Sequence, residues 1–357
     1  VTNPQPRSSA VSPLIDWSRV RSVLLVRLRS IGDTVLMTAC LDALKTWRPD
    51  IRIGVVIEPR AQQIVEGHPL VDDLFLVDSS LGSRLSLLAR LRRERFDVAF
   101  NLHGGTTAMF LTAFSGAKHT AGFRDQRASW MLSKRAPAPD LILGRERIHS
   151  VEQQLALLRW AGVPMPERAR LSLKPEQHAA ASVKAKLTRA GAANRLAIVA
   201  PGAAFESKRW NARGFAAVID HLRNRWQLDS IIIAGPGQGS LAGEVAGRSS
   251  HNPLVLSDVS LAELTALIGS FGRVFVGNDS GPMHIAAALD CPVVAVFGSS
   301  NPDVWHPWTG APYRVVGGER GRGDSDIRGS IDAIAVEDVM AAVDEVLQSA
   351  AAEAASR

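Results

Sequence analysis

Cysteine is almost missing from this chain, with only Cys40 and Cys291 in 357 residues. Two thiols make neither a disulfide framework nor a four-ligand zinc site. Both lie in apolar runs, where buried, reduced thiols are expected. Aromatic residues are 6% of the chain, with a single tyrosine. No aromatic-rich basic motif of a nucleic-acid module accompanies the arginines, so no nucleic-acid partner is expected. No stretch approaches the roughly 20 consecutive apolar residues of a membrane-spanning helix. The first 18 residues carry Pro4, Pro6, Pro13 and several serines but no apolar signal core. They read as a flexible tail on a cytoplasmic protein. The Gly-x-Gly-x-x-Gly dinucleotide fingerprint is absent from the first β-α-β unit, and there is no Walker-type Gly-Lys-Ser/Thr loop. Dehydrogenase and P-loop chemistry are therefore disfavoured.

The chain is 46% hydrophobic and 21% charged, the balance of a soluble globular protein long enough for two cores. Its net charge is +6, which suits an anionic lipid surface or a phosphorylated substrate. Arginines concentrate over 84–95 and 124–147. Most read as solvated faces, and the 84–95 helix is also a candidate for peripheral contact with the anionic inner membrane.

Continuous apolar runs alternate with helical patterns along the whole chain. Residues 22–27, 51–57, 71–77 and 97–102 read as buried strands, with a short one at 117–123. A second series has strands at 196–200, 229–234, 254–256, 274–276 and 292–297. Such repeats predict an α/β fold of two doubly wound, Rossmann-like domains facing a cleft. The expected divisions are a tail over 1–18, an N-terminal domain over 19–165 and a C-terminal domain over 175–335. A closing helix over 336–348 and a frayed tail over 349–357 follow. Ligands of open parallel sheets bind outside the carboxyl ends of the strands. The polar turns at 29–33, 103–105, 202–208, 235–239, 277–281 and 298–301 all fall there.

The most informative turn runs from Gly277 through Asn278, Asp279, Ser280, Gly281, Pro282 and Met283 to His284. Pro282 suits a first helical position, and the amides of such a helix start attract phosphate. The bland reading is an ordinary strand-to-helix turn with a core histidine. Asp33, at the first strand's carboxyl end, either caps a helix or serves as a general base. Lys208 is either a surface charge or a cation for a leaving group. None of the turns carries Asp-x-Asp, so no metal site and no organic cofactor are expected.

Four stretches occur in a characteristic order. They are Val23–Leu41, with Arg27-Leu-Arg-Ser-Ile-Gly-Asp33, then Pro201-Gly-Ala through Lys208-Arg-Trp, Gly235-Pro-Gly, and Gly277 through His284. Glu58-Pro-Arg60 and His149 with its following helix fit beside them. Over roughly 22–345 the chain resembles the bacterial ADP-heptose:lipopolysaccharide heptosyltransferases, glycosyltransferase family nine. The resemblance implies the GT-B fold, with the donor held mainly by the second domain. It implies inverting, metal-independent transfer of heptose from ADP-heptose to a lipopolysaccharide inner-core glycolipid. Asp33 matches the proposed general base and Lys208 the cation at the leaving diphosphate. Gly202, Ala203, Ser207, Gln238, Asp279, Ser280, Gly281, Pro282, Met283 and His284 become donor-site candidates. Arg29, Gly32, Arg60, His103 and Arg124 become acceptor-site candidates, and a monomer is expected. The chain departs from the family pattern in having Ala39 for a frequent proline, Gln238 for a frequent glutamate, and no cysteine in Gly317–Arg328. The competing readings are another nucleotide sugar or acceptor, a non-catalytic nucleotide-sugar binding protein, and an epimerase-like enzyme, which would need a carboxylate pair around the sugar.

Overall fold

Strand runs that are apolar at every position need cover on both faces, and each series supplies it with helices. The computed structural model describes residues 14–318 and 331–356, apart from 168, 193, 194 and 258. The first unit holds β1 (Ser22–Val26), α1 (Ile31–Trp47), β2 (Arg52–Ile57), α2 (Gln62–Val65), β3 (Asp73–Leu76), α3 (Leu81–Glu94), β4 (Val98–Asn101), α4 (Thr106–Ala113), β5 (His119–Phe123), β6 (Lys134–Ala136), α5 (Pro139–Leu143) and α6 (Ser150–Trp160). The second holds α7 (Gln177–Arg189), β7 (Leu196–Ala200), α8 (Ala212–Trp226), β8 (Asp229–Ile233), α9 (Gly239–Arg248), β9 (Leu254–Leu256), α10 (Leu261–Phe271), β10 (Gly272–Asn278), α11 (Gly281–Ala288), β11 (Val293–Phe297), α12 (Pro302–Trp305), β12 (Tyr313–Gly317) and α13 (Val336–Ala355).

Each unit is a six-stranded parallel sheet, ordered β3-β2-β1-β4-β5-β6 and β12-β11-β10-β7-β8-β9. The order reverses beside β1 in the first sheet and beside β7 in the second. A crevice opens at such a switch point, outside the strand ends. The ends of β1 and β4 therefore define one half of a site, and those of β7 and β10 the other. The core strands are wholly buried, including all of β1, β7 and β11.

The two units meet through α1 and α11, which pack together. Gln63 Oε1 of α2 accepts the Leu261 amide at the start of α10, at 2.9 Å. His149, the N-cap of α6, reaches across to the second unit. Its Nδ1 accepts from the Val151 amide at 3.1 Å, so Nε2 carries the proton and donates to the His306 carbonyl at 3.0 Å. The ring stacks on Trp308 with centroids 4.7 Å apart. Burial, with His306 alongside, pushes its pKa down to about 2. The histidine that fits the family pattern thus acts here as a neutral tie between the domains.

Four expectations about extent need correction. The tail expected over 1–18 lies outside the described residues up to 13, but Ile15 and Trp17 are buried. Trp17 Nε1 donates to the Ala161 carbonyl at 2.8 Å, and its ring meets Trp47 edge-on. The frayed end expected from 349 is helical to Ala355, because alanine is the strongest helix former and needs no packing partner to continue a turn. β12 went unpredicted because it is a half-exposed strand with little apolar signal. The arginine-rich stretch at 124–147, for which no element is predicted above, likewise contains β6 and α5. Most of the Gly- and Arg-rich segment at 317–328 lies outside the described residues. Both cysteines are buried as expected, and burial raises each thiol to about 12.

Candidate active site

The turn after β1 carries two consecutive non-glycine residues with positive φ, Arg29 at 60° and Ser30 at 39°. Such backbone costs on the order of 1–3 kcal/mol per residue and persists only where its surroundings impose it. Here it swings Ser30 into the N-cap of α1, where its hydroxyl accepts the Asp33 amide at 3.0 Å. The same hydroxyl donates to Asp33 Oδ2 at 2.8 Å. Ser30, not Asp33, is therefore the cap. The Asp33 carboxylate stands in the first helical turn and is released from that role. Its Oδ1 accepts from Arg27 Nη2, while Arg27 Nη1 donates to the Leu102 carbonyl at 2.5 Å. Arg27 is buried, and its Nε has no partner.

His103 follows β4 and completes this half. Asn101, fully buried, accepts the His103 and Gly104 amides at 3.1 and 3.0 Å and so fixes the turn. Burial pushes the imidazole pKa down, and Arg27, Asp33, Arg29 and Glu58 all lie close enough to act on it. Of the residues expected to face an acceptor, Arg29 lies close enough to His103 to act on it, whereas Arg60 is exposed and paired with Glu58 at 2.6 Å. Arg124 lies exposed beyond the end of β5.

On the opposite side, Asn278 at the end of β10 is fully buried. Its amide donates to the Pro201 carbonyl at 2.7 Å, and its oxygen accepts the Trp210 amide at 3.1 Å. These bonds clamp both ends of the 201–210 loop against β10 and deliver Lys208. Lys208 Nζ donates to Asp279 Oδ2 at 2.7 Å. The same oxygen accepts from the Ser300 hydroxyl, and Ser207 and Ser299 meet through their hydroxyls at 3.2 Å. Ser280 is the N-cap residue of α11, but its side chain makes no cap bond and turns to the Asn278 carbonyl, at 3.2 Å. Pro282 occupies the first turn, as its fixed φ favours.

His284 joins the halves. Its Nε2 lies 3.9 Å from Asp279 Oδ1, and its buried Nδ1 has no partner. Burial lowers its pKa, opposed by Asp279 from one domain and Asp33 from the other. A Cβ on Gly32 would stand 2.6 Å from His284 Cδ2. Glycine at 32 is what lets the start of α1 close onto α11. Met283 departs from expectation. It faces into the hydrophobic core with no exposure, so its side chain is withdrawn from the donor candidates.

Gln238 closes the far side of the loop. Its Nε2 donates to the Ala203 carbonyl at 3.2 Å, and its Oε1 accepts the Gly235 amide at 3.3 Å. A Cβ on Gly202 would meet Gln238 Oε1 at 1.9 Å. Gly202 thus leaves room for the Gln238 amide where it now lies, and a larger residue would push that amide aside. Sequence reasoning did not single out Arg27, Ser30, Asn278 or Ser300.

Residues 84–324 match glycosyltransferase family 9 (heptosyltransferase). A lipopolysaccharide heptosyltransferase 3 of Escherichia coli is 26% identical over 344 residues, covering 90% of this chain and 98% of that protein. Among solved structures, a glycosyl transferase family 9 protein from Veillonella parvula superposes with a TM-score of 0.80 at 23% identity, covering 92% and 97% of the two chains. The E. coli ADP-heptose lps heptosyltransferase II gives 0.74 at 22%, covering 92% and 98%. These likenesses establish the two-domain GT-B fold. With the family matched over more than half its length, the chain belongs to glycosyltransferase family 9, the heptosyltransferases, and is a glycosyltransferase.

Proposed function

We propose that the protein transfers a heptose from ADP-heptose to the inner core of a lipopolysaccharide-type glycolipid, with inversion at the anomeric carbon. The observation that carries this reading is that the helix starts bearing Asp33 and the Lys208–Asp279 pair abut, each at a sheet switch point, with His284 within electrostatic reach of both carboxylates. The relatives named above support the sugar and the acceptor class.

An acceptor hydroxyl enters from the first domain and attacks the anomeric carbon. Its proton passes to the Asp33 carboxylate as the new C–O bond forms. The bond from carbon to the diphosphate oxygen breaks, and its electron pair leaves with ADP. Negative charge then grows beside Lys208 and the start of α11. A fixed ammonium and oriented amides stabilise that charge more in the transition state than in the ground state. Asp279, Ser300 and Ser207 hold the lysine and the adjoining loop, and His284, neutral through burial, supplies an uncharged polar edge between the substrates. Arg29 and His103 face the acceptor side, where an arginine fork suits carboxylates and phosphates. No divalent ion is required in this scheme, and full activity in EDTA is its expected signature.

Among the described residues no helix is long and apolar enough to cross a membrane. A glycolipid acceptor would bring the enzyme to a membrane surface from the cytoplasmic side, as a peripheral protein. The deciding experiment is thermal unfolding against a panel of nucleotides and nucleotide sugars. ADP and ADP-heptose should raise the melting temperature, because they bind only the folded protein. A shift with UDP or GDP and none with ADP would overturn the donor assignment in favour of another sugar nucleotide.

A further inference from the structure

We propose that the outer face of the α3–α4 layer, extended by Trp130, docks the enzyme on an anionic phospholipid surface. α3 and α4 bury Leu87, Leu88, Leu91, Ala108 and Leu111 in one core cluster against the first sheet. Both helices therefore cover the same face of that sheet. Arg92 Nε of α3 donates to the Phe114 carbonyl after α4, at 3.1 Å, and joins them.

This face is apolar where a soluble surface is ordinarily polar. Leu81 is 69% exposed, Leu85 53%, Phe110 37% and Phe114 40%. The two phenylalanine rings pack 4.7 Å apart. The turn Ser129–Met131 packs on α4 and holds out Trp130, 75% exposed. These are five of the eight large apolar side chains that stand exposed among the described residues. Their concentration on two helices and one adjoining turn marks a surface meant to be covered.

The charge beside them decides what covers it. Over 81–95 there are five arginines and one acid, Glu94, which Arg52 already engages at 2.6 Å. α4 carries no charge, and Arg127 stands exposed near Trp130. A second copy docked through the same face would set arginines against arginines. An anionic bilayer complements them and takes aromatic and leucine side chains into its interfacial zone. Position agrees, since α4 starts directly after the His103-Gly104-Gly105 turn on the acceptor side. A glycolipid anchored beside α4 would present its head group to the cleft. The proposal rests on the glycolipid reading only for why a membrane is near, because docking itself requires no sugar chemistry.

The test is co-flotation of the whole protein with vesicles of phosphatidylcholine, with and without about one-third phosphatidylglycerol. Binding is expected only with the anionic lipid and is expected to fall with salt. The triple variant Phe110→Ser, Phe114→Ser, Trp130→Ser should lower binding at least roughly tenfold. The double variant Arg93→Glu, Arg127→Glu should do so by roughly tenfold or more. Both should keep the ADP-induced thermal shift, which shows that they fold. Equal binding to neutral vesicles, or variants that bind like the parent, would overturn the proposal. So would a dimer in light scattering that the triple variant dissolves. A missing ADP shift with vesicle behaviour as expected would fault the donor assignment and leave the docking face standing.

Discussion

Each domain places a carboxylate at a helix start and pairs it with a cation, yet the two pairs face opposite ways. In the first domain the cation is hidden, with the Arg27 side chain 8% exposed and that of Asp33 17%. In the second the carboxylate is hidden, with Asp279 5% exposed and Lys208 27%. The open member of a pair is the one a substrate can engage. In the proposed reaction Asp33 offers its anion to the incoming hydroxyl, and Lys208 offers its cation to the leaving diphosphate. The hidden member fixes the open one. Arg27 is held by its own strand turn and the Leu102 carbonyl, so it has nowhere else to go. Lys208 sits on a loop and can turn from Asp279 to a phosphate.

The largest effect should come from the open anion. Asp33→Asn keeps size and shape but removes the proton acceptor. We expect kcat to fall about 10²–10⁴-fold, with the thermal shift by ADP retained. Loss of ADP binding together with unfolding would make Asp33 a structural residue and end the comparison. Lys208→Met comes next, with kcat down about 10²–10³-fold. It also strands the Asp279 carboxylate with Ser300 as its remaining close donor. Denaturant titration without ligand should show a loss of about 1–3 kcal/mol, discounted because the lysine is partly solvated.

Arg27→Met tests the hidden cation. It leaves the Leu102 carbonyl and one Asp33 oxygen without their donor. We expect kcat about tenfold lower, less than for Asp33→Asn, because the base remains but is no longer held. Donor KM should be unchanged, since Arg27 belongs to the acceptor half. A rise in donor KM equal to the fall in kcat would show general disorder rather than lost positioning.

Much of this site was legible before the fold was known, because its residues come from turns whose composition cannot be core. Gly32, Asp33, Gly202, Lys208 and Asp279 belong to such turns. Their hidden partners were not legible. Arg27 ends an apolar run and reads as the polar edge of a strand, yet its side chain folds back to a carboxylate six residues on. Asn278 reads as a turn former, but its work is to clamp a loop some seventy residues away in sequence. Met283 shows the converse. It lies inside the turn-to-helix motif, but its helical position points it at the core. The edge strands β6 and β12 escaped for a related reason. Burial writes a hydrophobic pattern into a strand, and edges are only half buried.

The smallest expected effect concerns the one donor-side residue that departs from the family pattern. Gln238 uses its amide both ways, donating to Ala203 and accepting from Gly235. Gln238→Glu keeps the acceptor but cannot donate to Ala203, and it sets a carboxylate against that carbonyl. The ligand-free protein should lose about 1 kcal/mol, read from thermal or denaturant unfolding. A carboxylate freed from the loop would accept ribose hydroxyls more strongly than an amide does. ADP affinity should therefore rise a few-fold while kcat stays level, because the ribose lies away from the bond that breaks. Opposite signs for stability and affinity in one substitution would mark Gln238 as a loop fastener standing where a ligand contact is otherwise made. A fall in both would place it in the ligand's own binding contacts.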